Sequence, residues 1–377
     1  MQQYHELLKG ILLNGDVKYE PRTQTYTIGV AAWSSKYDLR EGFPLVTTKR
    51  VPPRLPFEEL FWKLRGERNV KPLFDRNIHI WDQNAFDKYL TTNKLNEKFP
   101  KHTKEWNEEF EIYKKRLAED PKFAEAAGDL GPVYGYQWRH WKKPVFVPEH
   151  AEGTEWVSNQ YKIEEVDQLK DVLKAIKEKP GSRYHILNAW NPGDLPEMAL
   201  GPCPFWHQFS VYGDNLDLTL VQRSCDSLLG IPFNIAQDSL LTYMVAKETG
   251  LKPRFFYHHY NDTHIYLGVA PRAKFWEDEE NIKEFKIKLG EVKEKSGYIN
   301  LREWYESTAP AENEHNKGED HIPIVLEQLS KEPKKLPKLK LEENISLLEA
   351  IQMPALDYAH IEDYECHSWD SKARMAT

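Results

Sequence analysis

The sequence predicts an α+β fold, and three stretches carry that expectation. Phe209, Val211, Leu216, Leu218 and Leu220 alternate with Ser210, Asp217 and Thr219 around Gly213-Asp214-Asn215, the pattern of two antiparallel strands joined by a tight turn. Ile235, Ala236, Leu240, Leu241, Met244 and Val245 recur at helical spacing up to Gly250, a C-terminal stop. Tyr4, Leu7, Leu8, Ile11 and Leu12 follow the same period ahead of Gly15-Asp16, giving an amphipathic N-terminal helix. The chain has 377 residues and 40% hydrophobic content, enough for a large core.

Taken in order, Pro21 to Ile28 is Thr-rich and β-prone, and on its residues alone Arg22 reads as a solvated loop side chain. Phe57 to Gly66 is helical, with Leu60, Phe61 and Leu64 as its apolar face; the adjacent Glu58 and Glu59 read as solvent-facing carboxylates near a helix N-terminus. Residues 95–128 swell with charge, yet Trp106, Phe110, Tyr113 and Leu117 repeat at helical spacing, so an inserted amphipathic helix should lie on the core. A further helix is expected near Val166 to Glu178. Asn234 should fall in the first turn of the helix that ends at Gly250. A second charged insertion, about 269–322, carries helical pieces and a polar loop from Ala309 to Gly318, whose neighbours His315 and His321 read as solvated rather than metal-ligating.

Composition narrows the function classes. A net charge of -8 opposes broad attraction to nucleic acid or an anionic membrane, so arginines must act locally. Three cysteines cannot form a disulfide framework, and no Cys or His pair has zinc-ligand spacing, which points to a reducing, cytoplasmic setting without a metal. Met1 to His5 lacks the basic start and apolar core of a leader, and no apolar run is long enough to span a bilayer.

The chemistry concentrates in Gly201-Pro202-Cys203-Pro204, Gln222-Arg223-Ser224-Cys225-Asp226 and Pro232-Phe233-Asn234-Ile235-Ala236, which bring a thiol, a cation and an amide into one compact stretch. A lone cysteine is more often an inert core thiol. Flanking prolines fix the backbone of Cys203, however, and the hairpin sets Arg223 near it, where a cation favours the attacking thiolate. Cys225 lacks that frame and reads as structural.

With Asp262-Thr263-His264-Ile265-Tyr266 downstream, this ordered set of motifs resembles the thymidylate synthase family, which includes the pyrimidine nucleotide hydroxymethylases of bacteriophages. The likeness covers most of residues 1–94, 129–268 and 323–377. It implies a single catalytic domain over 1–377, a large mixed β-sheet flanked by helices, and a homodimer paired sheet to sheet. The implied substrates are dUMP and 5,10-methylenetetrahydrofolate. Catalysis would fall to Cys203, Glu59, Tyr134 and Asn234. Arg22, Arg223, Ser224 and a partner-contributed Arg183 would hold the phosphate, Gln222 and Asp226 would complete the nucleotide site, and His264 and Tyr266 would take the ribose hydroxyl. Trp81, Asn84, Asp226, Gly230, Phe233 and Ala376 of the C-terminal tail would face the folate.

Four departures bear on the product. Pro204 follows the nucleophile where synthases have His, Asn84 stands where they have a second Trp, Glu58 where they have His, and Tyr184 where they have a second interface Arg. Phage hydroxymethylases also lack the first His and the second Trp. An amide in place of an indole admits water, so the expectation is addition of water to the exocyclic methylene, giving 5-hydroxymethyl-dUMP. Thymidylate formation is the alternative, and a non-catalytic nucleotide-binding relative a second one. Asn234 favours uracil over cytosine, since its amide offers both a donor and an acceptor to the O4 and N3–H edge.

Overall fold

The computed structural model describes residues 1–150, 157–368 and 373–374, without the side chains of 147–150, 157–160 and 315. Helix α1 (Gln2–Asn14) buries Tyr4, Leu7, Leu8, Ile11 and Leu12. Strand β1 (Asp16–Glu20), a loop carrying Arg22 and the long strand β2 (Thr25–Asp38) follow. Helix α2 (Arg54–Arg65) stops on Gly66 in the left-handed region. Helices α3 (Lys71–Phe74), α4 (Asp82–Thr92), α5 (Lys104–Glu119) and α6 (Pro121–Ala127) come next. Thr103 caps α5 by accepting the Trp106 N–H at 3.2 Å. Phe86 of α4 sits 5.2, 5.3 and 5.1 Å from the rings of Trp106, Phe110 and Tyr113. The first insertion is thus the amphipathic helix its period implies.

Helix α7 (Gly135–Arg139) leads to a hairpin of β3 (Trp141–His150) and β4 (Val157–Val166), which no sequence signal announced, and then to α8 (Gln168–Glu178). Next are β5 (Ile186–Asn188), β6 (Pro204–Tyr212), β7 (Asn215–Gln222), β8 (Cys225–Asp226), α9 (Gly230–Thr249) and β9 (Lys252–Tyr266). The expected hairpin is β6–β7: Tyr212 pairs with Asn215, and Gly213 supplies the positive φ of 62° that the two-residue turn needs. Asn234 lies five residues into α9, in its second turn, because the helix begins at Gly230 and not at the first periodic apolar residue.

The sheet runs β1-β2-β9-β7-β6-β5, with β8 alongside β9. It is mixed, since β7 and β8 pair parallel with β9 and the other neighbours are antiparallel. A parallel pair needs a crossover, and α9 is that connection. Its apolar residues, Ile231, Ile235, Ala236, Leu240, Leu241, Met244 and Val245, are fully buried. A helix covered on nearly all sides is a core helix, which fixes where any side chain it carries can point.

The second insertion forms α10 (Glu279–Glu291) and α11 (Lys295–Thr308) around its own aromatic cluster of Phe275, Trp276, Phe285 and Tyr305. His321, expected to be solvated, is fully buried and bonds Arg374 O at 2.8 Å. The ring packs edge-on to Tyr266, 5.5 Å away, and the His321 backbone N–H donates to Tyr266 O at 3.0 Å, so the imidazole sits against the end of β9. The chain ends with α12 (Ile322–Leu329), β10 (Lys338–Leu341), α13 (Leu347–Ala350), α14 (Ala355–Tyr358) and β11 (Ala359–Glu362). Among the described residues no helix is long and apolar enough to cross a membrane.

Candidate active site

One cavity of about 1440 Å³ gathers side chains from α2, the β6–β7 open end, α9, the end of β9 and the second insertion. Cys203 opens into it just before β6, partly exposed and unpaired in any disulfide. The predicted meeting of Cys203 and Arg223 holds: the Arg223 N–H donates to Cys203 O at 2.9 Å. The guanidinium donates from Nε to Pro202 O at 3.0 Å and from Nη2 to Gly201 O at 2.6 Å, so Arg223 also clamps the loop that carries the thiol. Burial pushes the Cys225 thiol well above its ordinary value. That environment keeps it an un-ionised core thiol.

Tyr134 bonds the backbone of the thiol's own residue. Its Oη accepts the Cys203 N–H at 2.9 Å, which leaves its own proton free to donate elsewhere. Burial first, and the nearby Cys203 second, hold the phenol far above its ordinary value, so it stays protonated. Its backbone sits at φ 38°, an unusual conformation for a non-glycine residue that costs about 1–3 kcal/mol. The next residue must be glycine, because a Cβ on Gly135 would lie 1.7 Å from Lys63 O. That close approach of α7 to α2 sets the Tyr134 ring over Lys63, the partner of Glu59.

Both glutamates of α2 are buried, contrary to the solvent-facing expectation, and they meet different partners. Glu58 accepts from Ala355 N at 2.9 Å and pairs with Arg76, tying α2 to α14 outside the cavity. Glu59 lines the cavity and is held by three donors: Trp81 Nε1 at 3.0 Å, Lys63 Nζ at 3.0 Å, and Gln237 Nε2. Lys63 also donates to Gln237 Oε1 at 3.0 Å and sits 4.8 Å from the Tyr134 ring centroid. Lys63 and Gln237 escaped the sequence reading. The signal was present, since a Lys four residues after a Glu on one helix face is a pairing geometry.

Asn234, Gln222, Ser224, His264 and Tyr266 line the same cavity. Asn234 Oδ1 accepts from Gln222 Nε2 at 3.1 Å. His264 donates from Nδ1 to Asp262 O at 2.8 Å, and burial pushes its pKa down, so it is neutral with Nε2 left over. Burial raises the Tyr266 phenol. Asp226 accepts from Leu228 N and Leu229 N through Oδ1 at 2.9 and 3.1 Å, while its buried Oδ2 has no partner among the described residues. An acceptor left open in that way suits a ligand N–H, as the pterin of a folate would supply. Trp81, Asn84, Gly230 and Phe233 line the wall as well. Buried Lys49, its pKa lowered to about 8 by burial, donates to Leu228 O beneath them.

One expected residue is not in this cavity and another cannot be placed. Arg183 is exposed and outside the lining of its own chain. Ala376 lies outside the described residues. Arg22 is exposed, as its residue context suggested, and also reaches the lining. No local pattern indicated that the second insertion would contribute Arg302, Glu306, Glu312, Lys317 and Asp320 to the rim.

Residues 2–377 match the model of the family described as Thymidylate synthase. The chain is 39% identical over 285 residues to a protein named thymidylate synthase from Listeria monocytogenes serotype 4a (strain HCC23), covering 73% of this chain and 85% of that protein. It is 40% identical, with the same coverage, to the protein of that name from Listeria innocua serovar 6a (strain ATCC BAA-680 / CLIP 11262). The chain belongs to the thymidylate synthase family. It is therefore a transferase of the family that moves a one-carbon unit from methylenetetrahydrofolate to C5 of dUMP. The mixed sheet is that family's large mixed sheet, as the resemblance implied.

Proposed function

We propose that this chain methylates C5 of dUMP to give thymidylate. The observation that carries the reading is the convergence of Cys203, Tyr134, Glu59 and Asn234 on one cavity, each of the four held by a hydrogen bond. The names of the Listeria relatives favour methylation over the hydroxymethylation that the motif departures favour.

In this reading Cys203 Sγ bonds to C6 of the uracil ring, and the charge that develops on O4 is met by the Asn234 amide. C5 then acts as a nucleophile. After it has gained the one-carbon unit, its proton leaves through the polar wall formed by Glu59 and Tyr134 as the bond from that carbon to the folate nitrogen breaks; hydride then reaches the same carbon and the C6–sulfur bond breaks to restore the thiolate. Methylenetetrahydrofolate supplies the carbon and, for thymidylate, the hydride. Trp81, Phe233 and the open Asp226 Oδ2 would hold it, while Arg22, Arg223 and Ser224 would take the nucleotide phosphate.

A sheet-to-sheet homodimer in the cytoplasm belongs to the same proposal. Half-exposed Phe255 and Tyr257 on β9 support it, as do Tyr184 and Tyr212 at 88% and 61% exposure, because such aromatic surface suits an interface. Arg183 would then serve the partner's phosphate.

The second reading, release of 5-hydroxymethyl-dUMP, is favoured by Asn84. This buried amide lines the cavity and has no hydrogen-bond partner among the described residues, so it can hold a water. Mass spectrometry of the product from dUMP and methylenetetrahydrofolate separates the two. Thymidylate formed in step with dihydrofolate is expected. A product carrying oxygen-18 from labelled water, with tetrahydrofolate released, would replace methylation by hydroxymethylation.

A further inference from the structure

Behind Asn234 lies a buried hydrogen-bond chain whose direction can be worked out. Gln222 Nε2 is 3.1 Å from Ser224 O and 3.1 Å from Asn234 Oδ1. A backbone carbonyl only accepts, so the Gln222 end that faces Ser224 must be the NH2 group, and its second hydrogen goes to Asn234 Oδ1. Gln222 Oε1 then faces His258 Nε2 at 2.8 Å. An amide oxygen cannot donate, so His258 must carry its proton on Nε2. The rest of the imidazole agrees: His258 is fully buried on β9, and its Nδ1 has no partner among the described residues, as suits a bare ring nitrogen. Burial, with His207 and His259 nearby, holds its pKa well below the ordinary value, so it is neutral. Asn234 Oδ1 is thereby engaged from behind, and no described group takes its Nδ2.

We propose that His258 is a positioning residue for base selection: by donating into Gln222 it holds, together with Ser224 O, the direction of the Gln222–Asn234 chain, so that Asn234 turns its NH2 to the base and the site takes a 4-oxo over a 4-amino pyrimidine. The inference rests on the uridylate reading above and adds the part that sets it. A pyrimidine with a carbonyl at C4 accepts from Asn234 Nδ2, whereas an exocyclic amine there brings N–H against N–H. His258 itself touches no substrate and is absent from the cavity lining. Without its proton, Gln222 Oε1 would be a buried acceptor lacking a donor, and only the bond to Ser224 O would still oppose turning the amide over. Turned over, it would accept from Asn234 Nδ2 and present Oδ1 to the base instead.

The test compares the full-length protein with His258→Phe and His258→Gln, the second of which keeps a donor. Dissociation constants for dUMP and dCMP are measured alongside the two kcat/KM values. In the parent dUMP should be preferred; His258→Phe should lower the dUMP-to-dCMP ratio about tenfold, and His258→Gln should restore most of it. A structural lesion alone would weaken both nucleotides equally and leave the ratio unchanged, which would overturn the role of His258 while sparing the uridylate reading. A parent that does not prefer dUMP would overturn both. Nitrogen-15 NMR of the His258 ring reads the tautomer without turnover or substitution: Nε2–H is expected, and Nδ1–H would end the proposal even if His258→Phe failed to fold.

Discussion

The floor and the rim of the cavity are built on different principles. On the floor, Glu59, Lys63, Gln237 and Trp81 are joined through buried hydrogen bonds, and beside them Tyr134 takes the Cys203 backbone N–H. On the rim, Arg302 pairs with Glu306 and Glu327 where its side chain is 29% exposed. Removing water makes an unanswered charge expensive, so the floor fixes its residues in one arrangement. Water screens the rim, and its ion pairs contribute little individually. The second insertion can therefore be highly charged and still be structurally permissive, while one substitution on the floor propagates through the cluster.

This contrast can be broken most severely at Cys203. Cys203→Ser should lower turnover by roughly a thousandfold or more while nucleotide binding stays near the parent value, because only the nucleophile is lost. Single-turnover kinetics with a parallel dUMP titration checks both halves; appreciable turnover by the serine variant would remove Cys203 from the mechanism. Next comes the buried pair. Lys63→Met strips Glu59 of its cation at a site where the two side chains are 5% and 10% exposed, and should lower stability by about 3 kcal/mol in urea unfolding. Arg302→Ala on the rim, under the same conditions, should lose under about 1 kcal/mol. Equal losses would erase the distinction between the two regions.

The proposed dimer adds a third region, the exposed edge that carries Arg183. Mixing Arg183→Ala chains with Cys203→Ser chains should rebuild one good site in each heterodimer. Random exchange makes about half of the dimers mixed, which gives about a quarter of parental activity. No recovery despite verified exchange would mean that Arg183 serves its own chain.

The smallest effect is expected where the two insertions meet. His102 of the first bonds Glu319 of the second at 3.3 Å and Thr23 O, beside Arg22, at 3.0 Å. The hydrogen bond to Glu319, against partial burial and Lys101, raises the His102 pKa above its unfolded value. A raised histidine stabilises the fold fully below an unfolded pKa of about 6.5, and that contribution fades as pH climbs through the raised folded value. His102→Gln should therefore lower the melting temperature by about 1–2 °C at pH 6 and by less at pH 9. An equal shift at both pH values would mean that the ion pair is silent.

Local pattern was enough for much of the molecule. Alternation around Gly213 specified the β6–β7 hairpin, whose two-residue turn sets the register from Tyr212 to Trp206; a bulge between Pro204 and Trp206 then leaves Arg223 beside Cys203. Apolar period located α1, α8, α9 and the helix of the first insertion, since each buries one stripe or all of its surface whatever its neighbours are. The ordered motifs carried the family, and hence the mixed sheet that periodicity could not order. What no local pattern held was direction and partnership. Glu58 and Glu59 are adjacent and chemically alike, yet about 100° apart around a helix; only the packing of α14 on one side and of α4, α7 and α9 on the other sends one to Arg76 and the other to the cavity. His321 looks solvated in a polar loop until its ring packs against Tyr266 at the end of β9. His258 reads as one more strand residue until β9 lies beside β7 and Gln222 needs a donor. Burial turns a side chain's hydrogen-bonding capacity into a demand, and which group meets that demand is decided by residues far away in sequence.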